Sequence, residues 1–201
     1  MNTAFLSGFL LSFSLILAIG PQNAFVLRQG LLKQHVLPIA LFCTLSDIIL
    51  ILLGIFGFGS IISNFDNFSQ YMFTIGGVWL LGYGFLRLKG AYLADSFLEA
   101  SNEQESDIKL VLINCAVLTW FNPHVYIDTL ILIGTVSIRF DDPLDFGLGA
   151  CLASFIFFFS LAYGARLLSP LMSSKKAWQI LDLVIASIMF VLAFSMFQEV
   201  F

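Results

Sequence analysis

Gly20-Pro21-Gln22-Asn23 interrupts the apolar run Phe5 to Leu27, and Phe121-Asn122-Pro123-His124 interrupts another, Leu110 to Gly134. These two tetrapeptides decide the fold. A proline withdraws one amide donor and pushes aside the carbonyl four residues earlier, here those of Leu17 and Thr119. Hydrocarbon offers no water to either group, so such breaks persist where they face protein or a wet cavity. Two of them at corresponding positions of two halves form the pattern of a secondary transporter assembled from repeats, with substrate held between broken helices.

Outward from the breaks, the chain is apolar almost throughout. Of 201 residues 59% are hydrophobic and 11% charged, and the mean hydropathy is +0.96, which leaves too little polar surface to clothe a soluble globule. Stretches long enough to cross about 30 Å of hydrocarbon run from Phe5 to Leu27, Val36 to Ile62, Tyr71 to Leu88, Leu110 to Gly134, Phe146 to Leu168 and Ala177 to Val200. The expected fold is therefore an all-α integral membrane protein of six transmembrane helices, the first and fourth broken at Gly-Pro and Asn-Pro. The first stretch has no Lys or Arg before it and no small-residue cleavage pattern after it, so it is read as retained rather than as a signal peptide.

Charge gives the expected orientation. Arg28 and Lys33 follow the first stretch, Arg87, Lys89 and Lys109 flank the third connection, and Arg166, Lys175 and Lys176 surround the end of the fifth, whereas the other connections hold only Arg139. Retention of Lys and Arg on the cytoplasmic side puts those three connections inside and both termini outside. A five-span arrangement with one re-entrant stretch competes. Much of the net charge of -4 comes from the solvated segment Asp95 to Asp107. The connector, about 89–109, divides a single domain, 1–201, into repeats of about 1–94 and 107–201. Three stretches are an odd number, so the second repeat crosses the membrane in the opposite sense to the first, giving an inverted repeat.

The breaks also carry chemistry. Asn122 is a good N-cap ahead of a proline at the first helical position, so a half-helix can restart there with amides exposed to a substrate carboxylate. Gly20-Pro21 offers the same restart, with Gln22 and Asn23 adding side-chain donors and acceptors, and the displaced carbonyls suit an ammonium. The bland alternative for each is a packing kink. Asp47 and Asp128 lie at membrane depth, where an acid costs about 2.5–3.5 kcal/mol on insertion scales and faces a cavity, a partner or a cation. The core segments around them offer no Lys or Arg, which points to a site for a cationic substrate or for protons. His124 is a further proton-relay candidate beside the plainer reading of a hydrogen-bonded neutral histidine.

Four other residues, Asp182, Arg166, Trp79 and Tyr83, read as structural or gating. Asp182 is placed to pair with Arg166 or Lys176. Trp79, Tyr83 and Arg87 recur every fourth residue on one helix face, read as packing with a snorkelling arginine rather than a substrate cage. Cys43, Cys115 and Cys151 stand singly in apolar surroundings and read as packing residues, with no metal site or cofactor expected.

At these residues the chain resembles the lysine exporter family, in its basic amino acid branch. The matching stretches are Gly20-Pro21-Gln22-Asn23-Ala24-Phe25-Val26-Leu27-Arg28-Gln29-Gly30, Cys43-Thr44-Leu45-Ser46-Asp47, and Thr119-Trp120-Phe121-Asn122-Pro123-His124-Val125-Tyr126-Ile127-Asp128-Thr129, with Gly164-Ala165-Arg166 and Ala177-Trp178-Gln179-Ile180-Leu181-Asp182 in support. The resemblance implies a bacterial inner-membrane exporter of L-lysine and L-arginine, driven by the electrochemical gradient through proton exchange. It carries functional roles onto Gly20, Pro21, Gln22, Asn23, Asp47, Asn122, Pro123 and Asp128. The expected partners are a basic amino acid, protons and the lipid bilayer; no nucleic acid is expected, and a homo-oligomer is compatible.

Three other readings were weighed. A neutral amino acid exporter of the homoserine and threonine type would not need two acids facing its substrate. Export of a soft metal cation would want several Cys or His ligands, and only His35 and His124 exist. Two intramembrane aspartates also suggest an aspartyl protease, but Gly147-Leu148-Gly149 is followed by Ala150, and Ile127 separates Tyr126 from Asp128. The chain is expected not to be an enzyme.

Overall fold

A computed structural model describes residues 3–18, 20–57, 68–93, 97, 100 and 107–199. Most of the polar connector, the far end of the second stretch and the terminal residues expected outside fall beyond the described set. Within it, the regular structure is helical: α1 (Thr3–Ile16), α2 (Pro21–Leu32), α3 (Val36–Ile55), α4 (Phe68–Leu93), α5 (Ile108–Trp120), α6 (Pro123–Ser137), α7 (Pro143–Leu168) and α8 (Lys175–Gln198).

Local chemistry sets several of these boundaries. Pro21, Pro123 and Pro143 each open a helix at its first turn, where their missing amide costs nothing. The Asp107 side chain accepts from the Lys109 amide, Asp142 from Leu144 and Asp145, and Ser174 from Ala177, all N-caps. Lys33 closes α2 in the left-handed region at φ 59°, its amide donating to the carbonyls of Gln29 and Gly30. The three-residue turn Lys33-Gln34-His35 then leads into α3.

Three helical segments, Val36–Ile55, Pro143–Met172 and Lys175–Gln198, are long and apolar enough to cross a membrane. Two broken pairs meet the same criterion as single spans, α1 with α2 bent by 79° and α5 with α6 bent by 60°, which gives up to five. The expected third stretch, Tyr71 to Leu88, lies within α4, a continuous helix of 26 residues and so about 39 Å long.

The helices pair through small residues. A Cβ added at Gly8 would collide with the Phe146 carbonyl, and one at Gly149 with that of Phe5, so α1 and α7 touch backbone to backbone. Gly54 and Gly134 do the same between α3 and α6, meeting the carbonyls of Leu130 and Gly54. Such approaches drive helix association where lipid is as apolar as the side chains. The result is that α7 backs the first broken pair and α3 the second, while α4 packs chiefly on α8. Between them lies α2, buried on all sides from Arg28 to Leu32 as well as at Pro21, Gln22, Ala24, Phe25 and Val26. By contrast α8 turns Ile180, Val191 and Phe194 outward.

Candidate functional site

Both breaks open on one cavity of about 270 Å³, near the lower end of the roughly 300–1,000 Å³ usual for small-molecule sites. Gly20, Pro21, Gln22 and Asn23 line it from the start of α2, Asn122, His124 and Asp128 from the start of α6, and Asp47 from α3. Of the residues read as binding or proton-coupling, all but Pro123 are on its wall. Pro123 is buried at the first position of α6 and acts on the cavity only by starting that helix.

The two breaks are held by different bonds. Asn23 turns its amide back, donating through Nδ2 to the carbonyls of Ile16 at 2.8 Å and Ala18 at 2.9 Å, and so closes the frayed end of α1. Gly20, the N-cap of α2, has no side chain to offer that helix's first amides. Buried Gln22 lies on the cavity wall, and among the described residues its Nε2 has no oxygen or nitrogen hydrogen-bond partner, only the Cys43 thiol beside its side chain. At the second break Asn122 Oδ1 accepts from the His124 amide at 3.1 Å, and the Asn122 carbonyl accepts from Val125 at 3.2 Å. The Tyr126 hydroxyl donates to the Trp120 carbonyl at 2.8 Å. The Thr119 carbonyl, expected to stand displaced for an ammonium, already accepts from the Asn122 amide at 3.4 Å. Uncapped amides therefore belong to α2, not α6.

Asp47 is 3% exposed, with Ser154 of α7 donating to its Oδ2 at 2.8 Å. One residue earlier, Ser46 Oγ accepts from Trp120 Nε1 at 3.2 Å and ties α3 to the end of α5. Asp128 occupies a π-helical segment, Tyr126–Leu132, inside α6; such widened turns recur at functional sites. Among the described residues no Lys or Arg is an ion-pair partner of Asp47 or Asp128, and His124, one turn before Asp128, interacts with it electrostatically. His124 lines the cavity with its ring edge-on to Phe73 at 6.0 Å. Leu15, Ile16, Ala18, Val125, Thr129, Phe158 and Leu192 complete the wall. Ser154 was not singled out from sequence, and its only signal was a small polar residue in the apolar run Ala153-Ser154-Phe155.

Asp182 corrects two expectations. It pairs not with Arg166 or Lys176 but with Arg28 Nε and Arg87 Nη1, each 3.6 Å from Oδ1, and it is fully buried. Arg87 accordingly does not snorkel: its side chain is 19% exposed and its guanidinium lies 5.2 Å from the centre of the Tyr83 ring. Arg166 stands exposed on α7. Trp79 and Tyr83 line a separate apolar groove between α4 and α5, away from the cavity. Cys43 and Cys115, expected singly, meet as free thiols with sulfurs 3.4 Å apart, though their role in packing α3 on α5 is the expected one. Among the described residues no cluster of three metal-ligating side chains occurs.

Residues 13–199 match the family model described as LysE type translocator. A curated protein of Klebsiella pneumoniae, named arginine exporter protein ArgO, is 38% identical over 202 aligned residues covering 99% of this chain and 95% of its own. Its namesake from Salmonella typhimurium is 37% identical over the same shares. No solved structure matches the chain. A family match over nearly the whole length, with full-length relatives at this identity, shows that the chain belongs to the LysE-type translocators.

Proposed function

We propose that this chain is a secondary transporter that exports basic amino acids, L-arginine and L-lysine, from the bacterial cytoplasm in exchange for protons. The observation that carries this reading is the convergence on one cavity of two carboxylates, with no Lys or Arg paired to them among the described residues, and two half-helix starts. Asp47 and Asp128 balance the substrate's cationic groups. The uncapped start of α2, with Gln22 beside it, receives the substrate carboxylate, as a helix N-terminus with open amides favours an anion. The names of the relatives support the substrate class.

A cation leaving a cell with a negative interior works against about 2.3 kcal/mol per charge per 100 mV. Inward protons offset that cost when Asp47 or Asp128, relieved of substrate, takes one up, with His124 as a further relay.

The architecture we infer has six crossings, α4 supplying the third, in two inverted repeats with both termini periplasmic. In support, α1 with α2 leans on α7 while α5 with α6 leans on α3, the exchange expected of a pseudo-two-fold. One chain lines the described cavity, so the reading holds for a monomer or a homo-oligomer.

Proteoliposomes loaded with labelled arginine, lysine or threonine test the function. Arginine and lysine efflux should rise with an imposed pH gradient and threonine efflux should not. Efflux of threonine alone would replace this reading with a neutral amino acid exporter, and arginine efflux indifferent to the gradient at every clamped potential would exclude proton coupling. Impermeant labelling of single cysteines placed near each terminus tests the topology, since reaction of the two from opposite faces would mean five crossings.

A further inference from the structure

We propose that the seam between the end of α4 and the start of α8 binds an anionic glycerophospholipid, with its phosphate at Lys89 and Lys176 and an acyl chain in the groove below them. The two helices run antiparallel. A Cβ at Gly77 would come within 3.0 Å of the Phe197 ring and one at Gly84 within 2.8 Å of the Phe190 ring, so glycines let the seam close tightly away from the basic ends. Nearer those ends a groove of about 800 Å³ lies along it. Phe85 and Leu88 of α4 and Ile180 and Leu183 of α8 form its apolar walls, and all four are exposed. The Phe85 ring stands at the inner end, edge-on to Phe190 at 5.0 Å. Gln179 Nε2 donates to the Ala91 carbonyl at 2.9 Å and ties the two walls together.

Charge complementarity selects the occupant. Lys89 lines the groove one turn beyond Phe85, and Lys176 lies one turn before Ile180 on the same face of α8. Both are exposed, and among the described residues neither has an ion-pair partner. The one acid in either helix is Asp182, which is fully buried and turned towards Arg28 and Arg87. No carboxylate of these helices therefore opposes an anion at the two lysines. Tyr92, 88% exposed, stands at the outer end of the groove, where an aromatic ring with a hydroxyl suits the head-group level. A lysine lays its stem along apolar surface and carries its ammonium out to that level. Two ammonium groups over an apolar trough match a lipid with a net negative head group and a hydrocarbon tail, as basic pockets between spanning helices do. A zwitterionic lipid brings its own cation and gains less. None of this depends on the transported substrate.

The test is native mass spectrometry of the full-length protein, purified in a neutral detergent and titrated with phosphatidylglycerol or with phosphatidylcholine of the same chains. One phosphatidylglycerol should be retained per chain, about tenfold more tightly than phosphatidylcholine. Lys89→Gln and Lys176→Gln should each weaken its retention by about fivefold, and Lys89→Arg should not. Ile180→Trp keeps both cations but fills the groove, so it should weaken retention as well. Lys33→Gln, exposed but outside the groove, should leave it unchanged. Equal retention of the two lipids would overturn the proposal. So would a loss in Lys33→Gln as large as in Lys89→Gln, which would make the attraction that of the basic surface as a whole, or full retention in Ile180→Trp. A mass of two chains, present without lipid and lost in Ile180→Trp, would assign the groove to a second copy instead. Each substituted side chain is exposed, so the variants should stay monodisperse; if Lys89→Gln does not, Lys176→Gln and Ile180→Trp decide the question by the same criteria.

Discussion

Both breaks bend a helix pair and open on the same cavity, yet they are built differently. The first bends by 79° around a glycine N-cap, and its strain is absorbed backwards, by Asn23 gripping the end of α1. The second bends by 60° around an asparagine cap, and its loose ends are gathered forwards, by Asn122 and by the Tyr126 hydroxyl. Beyond the first break comes a helix that carries a buried arginine, Arg28. Beyond the second comes a widened helix that carries an acid, Asp128. Two broken helices thus bring opposite chemistry to one cavity, with open amides from the first and a carboxylate from the second. An amino acid with a cationic side chain has the complementary polarity.

The sharpest way to break this comparison is to remove the charge behind the second break. Asp128→Asn should slow arginine efflux by roughly 10- to 150-fold, matching the roughly 1.5–3 kcal/mol of a hydrogen bond to a charged group, while the protein remains in the membrane. Asp47→Asn should do the same. Unimpaired efflux by both would remove the cavity from the transport path.

Next in size is the unequal weight of the two prolines. Pro21→Ala should impair efflux more than Pro123→Ala, because Asn122 continues to cap α6 when Pro123 is gone, whereas Gly20 has no side chain with which to hold the start of α2. Efflux assays on the two variants at matched membrane abundance decide it. The reverse order would place the substrate carboxylate on α6.

Asn23→Ala and Asn122→Ala separate the backward and forward holds. Loss of two bonds at about 1 kcal/mol each should lower the melting temperature in detergent more for Asn23 than loss of a single cap, worth about 0.5–2 kcal/mol, does for Asn122. Tyr126→Phe should be mildest, with about 1 kcal/mol lost and efflux changed only a few-fold. A thermal shift for Tyr126→Phe as large as that for Asn23→Ala would mean that the second break depends on its hydroxyl as the first does on its amide.

Much of this was legible in the chain because it depends on residues close together in sequence. A proline after an asparagine or glycine inside an apolar run announces its break, and an aspartate with no basic neighbour at the same depth announces a cavity. Asp182 shows where such reading fails. Basic residues near it along the chain suggested Lys176 or Arg166, whereas α2 and α4 deliver Arg28 and Arg87, which are remote in sequence. Ser154 reaches Asp47 for the same reason, since only the packing of α7 on α3 joins them. The carboxylate seat needed knowledge of which amides are already capped, and that is a matter of side-chain rotamer.

The widened segment Tyr126–Leu132 has a consequence for alignment and engineering. Each residue of an ordinary α-helix advances the side-chain direction by about 100°, and a π turn accommodates one residue more than its α counterpart. Asp128 can therefore point into the cavity while Gly134, on the same helix, stays pressed against Gly54. Deleting a single residue between these two positions would let the segment relax to regular geometry with its contact on α3 intact. The acid would then be turned by about a quarter of a revolution, leaving a well-folded, correctly inserted chain whose second half is out of phase with its first.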